Sequence, residues 1–283
     1  MRKENIREIK TIPSREDPFK YVRHGVKQQK TTENRKLSMY GFSSVEGGHN
    51  IYALLEFDIT NLRQILRIKR KQGEGGSLFS FFLKAIGKCL ETFPEFNSMI
   101  DKRKTTLFED VDISVPIEIH RDGEIYNKQY LLKNVNSKTI KQITEEIALS
   151  KANPDDHQGF IVSTKARRLL GRFPKWMVVG ILRYIMRDHR KIKKMSGTIF
   201  VTSVSMFTNV SGYVIPYSGG PMASSFAIGS SIKKPVVKNN AVEIREIINI
   251  TAIFNHDIID GAPAARFINC LKRYIEVDYD SLM

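Results

Sequence analysis

The stretch that most limits the fold lies near the C-terminus. In AVEIREIINITAIF (241–254), Ile248, Ile250, Ala252 and Phe254 recur at every second position. That spacing turns them to one face of a β-strand. The period then changes. Over 261–276, Ala264, Phe267, Leu271 and Tyr274 or Ile275 fall three or four apart, one stripe of an amphipathic helix. GTIFVTSVSMF (197–207) and PMASSFAIGSSI (221–232) supply two further strand-like runs upstream.

Earlier in the chain, strands alternate with helices. NIYALLEFDIT, from Asn50, reads as a strand. Asp58 or Thr60 then caps a helix to about Gln72, which carries Arg63, Arg67, Lys69, Arg70 and Lys71 and no acid. GEGG (73–76) lacks the G-K-[ST] of a phosphate loop and reads as a connector. Ser77 caps SLFSFFLKAIGKCLETF, which Pro94 stops. VDISVPIEIH (111–120) is a strand, and the Asp-Gly turn in RDGEIY returns it to about Leu132. NSKTIKQITEEIALSKA (136–152) reads as a helix with an Asn or Ser cap. No internal repeat and no proline- or serine-rich linker divides the chain. Strands that cluster late after an alternating start predict one mixed α/β domain with a large sheet. Residues 1–36, with 11 Lys/Arg against 5 Asp/Glu, read as a basic arm ahead of a domain over 37–283.

Charge and composition narrow the classes. The net charge of +15 over 283 residues suits a phosphate-bearing ligand, nucleic acid or acidic lipid without choosing among them. The apolar run WMVVGIL (176–182) is far shorter than the ~20 residues that span a bilayer. MRKENIREIK carries no apolar leader, so a cytoplasmic location is expected. Cys89 and Cys270 sit in apolar-periodic stretches outside any C-x-x-C pair and read as buried, reduced thiols. The basic segment 165–194 holds 11 Lys/Arg and one Asp around the lone tryptophan. It reads as a helix packing its apolar side on its own domain with charges snorkelling outward, in preference to a membrane-surface helix. No finger spacing or RNA-binding aromatic signature is present, so nucleic acid is not expected as a partner.

None of His24, His49, His120, His157, His189 and His256 stands four residues from another histidine, and no metal site is expected. His256 follows the β-branched run directly, at a strand end where loops hold functional groups on a rigid scaffold. Asp260, four residues on, reads as an orienter that binds the loop's own N–H groups or a basic residue, and Gly261 as the residue that permits a tight turn.

NHDIIDGAPAARFINCLKRYIE carries an H-x-x-x-D-G pattern that resembles the signature of the chloramphenicol acetyltransferase-like superfamily. It is most similar to the catalytic domain of the acyltransferase component of 2-oxo acid dehydrogenase complexes. GTIFVTSVSMF resembles that family's G-T-F-T-I-S-N-L-G-M-F strand, AIGSSIKKPVV (227–237) its segment ending R-P-V-V, and FLKAIGKCLETFPEFNSMI (82–100) its helix ending F-P-x-x-N. The pieces keep the family's order over roughly 50–276. The resemblance departs at Asp257, where the relatives carry arginine, at TSVS (202–205) in place of S-N-L-G, and at GEIYNKQYLL in place of G-L-x-x-P-V.

The resemblance implies an α/β two-layer sandwich with a large mixed sheet, assembled as a trimer with its active site between subunits. It implies acyl transfer between a thioester, on coenzyme A (acyl-CoA) or a lipoyl group, and a thiol or hydroxyl. His256 is then the general base, and an imidazole titrating near ~6.5 suits that role. Thr202 is the donor to the tetrahedral oxyanion, with Ser203 as the alternative; on a strand the two point to opposite faces. The short stretch before residue 50 leads to the expectation of a free-standing catalytic domain, without lipoyl or subunit-binding domains, that takes lipoamide from a separate lipoyl-bearing protein. Two other readings are a catalytically degenerate trimeric scaffold and a small-molecule O-acetyltransferase.

Overall fold

The computed structural model describes residues 33–44, 48–101, 104–121, 124–153, 173–205 and 211–283. The expected basic arm falls almost wholly outside them. Helix α1 (Glu33–Ser44) precedes β1 (Asn50–Asp58), α2 (Thr60–Lys71) and α3 (Leu78–Thr92). A small hairpin, β2 (Ser98–Ile100) and β3 (Thr105–Leu107), leads to β4 (Ile113–Arg121), β5 (Glu124–Leu132) and α4 (Ile140–Ala152). Then come α5 (Lys175–Ile185), α6 (His189–Ser196), β6 (Ile199–Ser203), β7 (Ser224–Lys238), β8 (Ala241–Asn255) and α7 (Gly261–Glu276).

Six strands form one sheet in the order β1-β8-β7-β6-β4-β5. β6 runs parallel to both β4 and β7, and the remaining pairs are antiparallel. The sheet is therefore mixed, as expected. The alternation in β8 does what its period requires: Ile248, Ile250, Ala252 and Phe254 join the core with Phe57, Val201 and Phe226. Helices α2, α3, α4 and α7 contribute Leu62, Leu66, Phe81, Phe82, Ile143, Phe267 and Leu271 to the same core. On the other face the Asn249 side-chain amide donates to the Gly212 carbonyl at 3.0 Å, which lays the stretch ahead of β7 against β8 there.

One aromatic knot ties the last helix to the sheet. Phe267 of α7 stacks on Phe96 (centroids 4.5 Å apart, planes at 20°) and on Phe226 (5.8 Å), and meets Phe93 and Phe254 edge-on. Such pairs add about 0.5–1.5 kcal/mol each beyond area burial. Gly197 opens β6 at φ 73°, and a Cβ there would lie 2.5 Å from the Asp112 carbonyl oxygen. Only glycine allows the approach that lets Thr198 N–H bond that oxygen at 2.7 Å and start β6 beside β4.

Several boundaries differ from the sequence reading. The helix expected from Asn136 begins at Ile140, with Thr139 as cap in a reciprocal capping box with Gln142. The N-cap of α2 is Ile59, which has no side-chain cap; the Asp58 carboxylate instead accepts the Thr60 N–H at 3.0 Å. The run 197–207 gives a strand only over Ile199–Ser203, and 206–207 lie outside the described residues. The segment 221–232 does not start pairing as β7 until Ser224, because Pro221 and Met222 pair with β2. Ser77 does cap α3, accepting the Ser80 N–H at 3.0 Å. Cys89 and Cys270 are free thiols on α3 and α7, with Sγ atoms 3.1 Å apart; Cys89 is buried and Cys270 half-buried. Burial pushes the Cys89 thiol well up, while the hydrogen bond from Cys89 holds Cys270 down.

Candidate active site

The strand and helix periods dictate the corner that carries His256. β8 stays paired to its last residue, with Asn50 of β1 opposite Asn255. The Asn255 N–H reaches the Ala223 carbonyl at 2.9 Å, and the Asn255 carbonyl accepts Ile258 and Ile259 N–H at 3.0 Å each. The chain thus reverses in one tight turn, with Ile259 plunged into the core, and enters α7 at Gly261. Backbone N–H of His256 donates to the His49 carbonyl at 2.6 Å. The main chain at His256 is fixed from two sides, while its side chain is 46% exposed.

Asp260 is the N-cap position of α7, and its carboxylate lies 3.5 Å from His256 Nδ1. Of the two expected roles it binds no loop N–H and faces a basic ring; carbonyls and the Asn255 side chain hold the turn. Its oxygens are free to face the imidazole, and at 82% exposure the contact is a solvated one. Gly261 departs from expectation. It is not among the residues of positive φ, and an added Cβ would meet nothing within 4 Å, so the turn does not require glycine there.

Asn255, Gly48 and His49 beside His256 are not marked as site residues by the sequence. Asn255 is 3% exposed, and its Oδ1 accepts the Asp257 N–H at 3.0 Å. Gly48 packs on that amide so closely that a Cβ would lie 2.9 Å from Asn255 Nδ2. Asp257 pairs with His49 Nδ1 at 2.8 Å. The hydrogen bond from His49 holds the Asp257 carboxyl below the usual range. The signal that could have found His49 was the antiparallel pairing of β1 with β8, which brings a residue about 200 positions away beside the loop.

Thr202 and Ser203 end β6 on opposite faces. Ser203 follows Val201 toward the helices, and its hydroxyl is engaged with that of Ser205 at 2.9 Å. Thr202 is half-buried on the other face, and its hydroxyl makes no hydrogen bond among the described residues. The register measures its distance from the histidine. Thr202 lies opposite Ala227, and Ala227 opposite Thr251. His256 is five residues beyond Thr251, about 17 Å along the sheet, and two strands, about 10 Å, across it. One copy of the chain therefore does not bring its own Thr202 to its own His256. No group of three or more metal-ligating side chains occurs among the described residues.

A cationic cleft lies elsewhere, lined by Arg63, Arg67 and Lys233 with Thr60, Gln64 and Glu246. Arg63 is paired there to Glu246 at 2.7 Å. Glu246 is ten residues from His256 on β8, about 33 Å away, so the cleft belongs to the opposite end of the sheet.

Comparison with known proteins agrees with this architecture. The family model for 2-oxoacid dehydrogenases acyltransferase (catalytic domain) matches residues 26–157 and 187–283. The lipoamide acyltransferase component of the branched-chain alpha-keto acid dehydrogenase complex of Bacillus subtilis is 25% identical over 238 residues, 80% of this chain and 46% of that protein. The chain thus spans about half the length of that relative. The cubic core of a pyruvate dehydrogenase multienzyme complex superposes with a TM-score of 0.67 at 16% identity, covering 94% of this chain and 98% of that one. The same TM-score, identity and coverage are found for the dihydrolipoamide acetyltransferase of Azotobacter vinelandii, studied for the role of a serine, a histidine and an asparagine in its catalytic mechanism.

Proposed function

The chain belongs to the 2-oxoacid dehydrogenase acyltransferase family, through that family's catalytic domain, and on that premise we propose that it transfers an acyl group between a thioester and a thiol or hydroxyl acceptor. The thioester is carried by coenzyme A or by a lipoyl group on another chain. The observation that carries this reading is the His256–Asp260 pair, at 3.5 Å, on a turn fixed between β8 and α7.

With Asp260 beside Nδ1, the ring presents Nε2 to the acceptor. His256 takes the acceptor's proton as its sulfur or oxygen attacks the thioester carbonyl carbon. The new bond leaves a tetrahedral oxyanion, which a hydroxyl donor stabilises. Collapse breaks the carbon–sulfur bond, and the departing thiolate recovers the proton from His256. The His49–Asp257 pair and the buried Asn255 amide keep the loop in place throughout.

Thr202 is the hydroxyl we assign to the oxyanion, because Ser203 is already engaged by Ser205. The roughly 17 Å offset along the sheet within one copy supports a site composed of two copies, His256 from one and Thr202 from its neighbour. A homotrimer is the assembly we propose. The core-type structures that share the fold favour oligomeric assembly.

The test is acyl exchange between acetyl-CoA and dihydrolipoamide, followed by release of free CoA, alongside a panel of hydroxyl acceptors. Wild-type protein turns over and His256→Ala loses about 10²–10⁴ in rate. Equal rates for the two proteins would remove His256 from the mechanism, and turnover only with hydroxyl acceptors would reassign the substrate.

A further inference from the structure

The family match breaks between residues 157 and 187. What the structure describes in that gap is mainly α5. Among the described residues, α5 is packed along one side. Val178 is fully buried, Leu182 and Ile185 are half-buried, and α1 packs alongside. The opposite side carries Trp176, Gly180, Arg183 and Tyr184 on successive turns. Trp176 is 74% exposed and Tyr184 72%, with Ile181 at 43% beside them. Two large aromatic rings left in water on one helix face form an unusual surface for a chain with an ample core to bury them in.

The charge around that face has one sign. Residues 173–194 hold Lys175, Arg183, Arg187, Arg190, Lys191, Lys193 and Lys194 against a single acid, Asp188. That acid is already used: it caps α6 through the Arg190 and Lys191 N–H groups and pairs with Lys191 at 3.5 Å. Lys193 turns away to Asp110 at 3.0 Å. Lys175, Arg183, Arg187, Arg190 and Lys194 make no ion pair among the described residues. Amphipathic rings on a helix that also carries Lys175 and Arg183, with Arg187 one turn beyond, match the headgroup layer of an anionic bilayer. Trp and Tyr seat at the boundary between headgroups and acyl chains, and cations hold lipid phosphates. No described helix is long and apolar enough to cross a membrane, so the contact is a surface one.

We propose that the Trp176–Tyr184 face of α5, with Lys175, Arg183 and Arg187, which make no ion pair among the described residues, docks the protein on anionic phospholipid. The sequence reading, in which this segment packs on its own domain, describes only the Val178 side of the helix. Docking does not depend on acyl transfer, and its test does not use that activity.

Trp176 is the only tryptophan, so its emission reports the face directly in the intact protein. Titration with vesicles of phosphatidylglycerol and phosphatidylcholine should shift the emission to the blue and carry the protein into the vesicle pellet. Pure phosphatidylcholine vesicles, and high salt, should do neither. Arg183→Gln with Arg187→Gln should weaken the partition about thirtyfold, from roughly fivefold per basic residue. Trp176→Ala should weaken it too, with its circular dichroism unchanged. Binding equal on neutral and anionic vesicles, or none on either, would overturn the proposal. So would a Trp176 emission already blue and shielded from quencher in lipid-free protein, with Trp176→Ala lowering the sedimentation coefficient, since the face would then join copies of this chain.

Discussion

Replacing Thr202 by valine keeps the shape of the side chain and removes only its hydroxyl. The structure makes this a clean perturbation, because that hydroxyl makes no hydrogen bond among the described residues and its loss leaves no partner unsatisfied. The fold should be unaffected, with thermal unfolding within about 0.5 kcal/mol of wild type. If Thr202 donates to the oxyanion, kcat falls about 10²–10³, equivalent to ~2.7–4 kcal/mol of transition-state stabilisation. Thr202→Ser, which keeps the donor, should restore most of it. Ser203→Ala loses the contact with Ser205, about 0.5–1.5 kcal/mol of stability, and should leave kcat within a few-fold of wild type. The assay is initial-rate CoA release at saturating acetyl-CoA and dihydrolipoamide, with circular dichroism as the control for folding. A hundredfold loss in Ser203→Ala with a normal rate in Thr202→Val would refute the assignment and move the donor to the other face of β6.

Other perturbations reach the site through its supports. Phe267→Ala empties the centre of the aromatic knot and should cost about 3–5 kcal/mol, read as a lower denaturant midpoint; a midpoint equal to wild type would show that α7 is not held there. Asn255→Leu leaves the Asp257 N–H without its acceptor and should cost about 1–3 kcal/mol; its kcat should fall while Thr202→Val behaviour on stability is unchanged. Burial lowers the pKa of His189, whose ring is 3% exposed and bonded to Thr106 at 2.8 Å, while the Asp101 carboxylate opposes the shift. The folded state therefore favours neutral imidazole more than the unfolded chain does. Its contribution is intact above the unfolded value near ~6.5 and is lost as pH falls toward the lowered folded value. Denaturant unfolding between pH 7 and 5 should show this slope, and His189→Gln should flatten it.

Much of the fold was readable because single-period signals decided it. β8 and α7 had long, unbroken periods, and both ends of α7 match the expectation to the residue. Ser77, followed by an apolar run and then proline, marked α3 with similar clarity. Boundaries were lost where local chemistry offered several caps: Asn136, Ser137 and Thr139 can all accept an N–H, and the reciprocal bond to Gln142 selects the last. The candidate site divides in the same way. His256 and Asp260 lie four apart on one turn, so sequence brings them together. His49, Asp257 and Gly48 come together only through the β1–β8 register, which no local pattern encodes. Glycine before a helix usually marks a special φ, but at Gly261 φ is not positive and the turn is made by Asn255 carbonyl bonds instead. The offset between Thr202 and His256 depends on two strand registers in series, so it needed the assembled sheet.

The central claim is that His256 and Thr202 act together from different copies of the chain. Subunits carrying His256→Ala and subunits carrying Thr202→Val, each nearly inactive alone, can be co-expressed in equal amounts and purified as mixed oligomers. In a ring where each site joins one subunit's histidine to its neighbour's threonine, random mixing restores about one quarter of the sites. The account predicts that fraction of wild-type acyl exchange. Mixed oligomers no more active than either parent would contradict it.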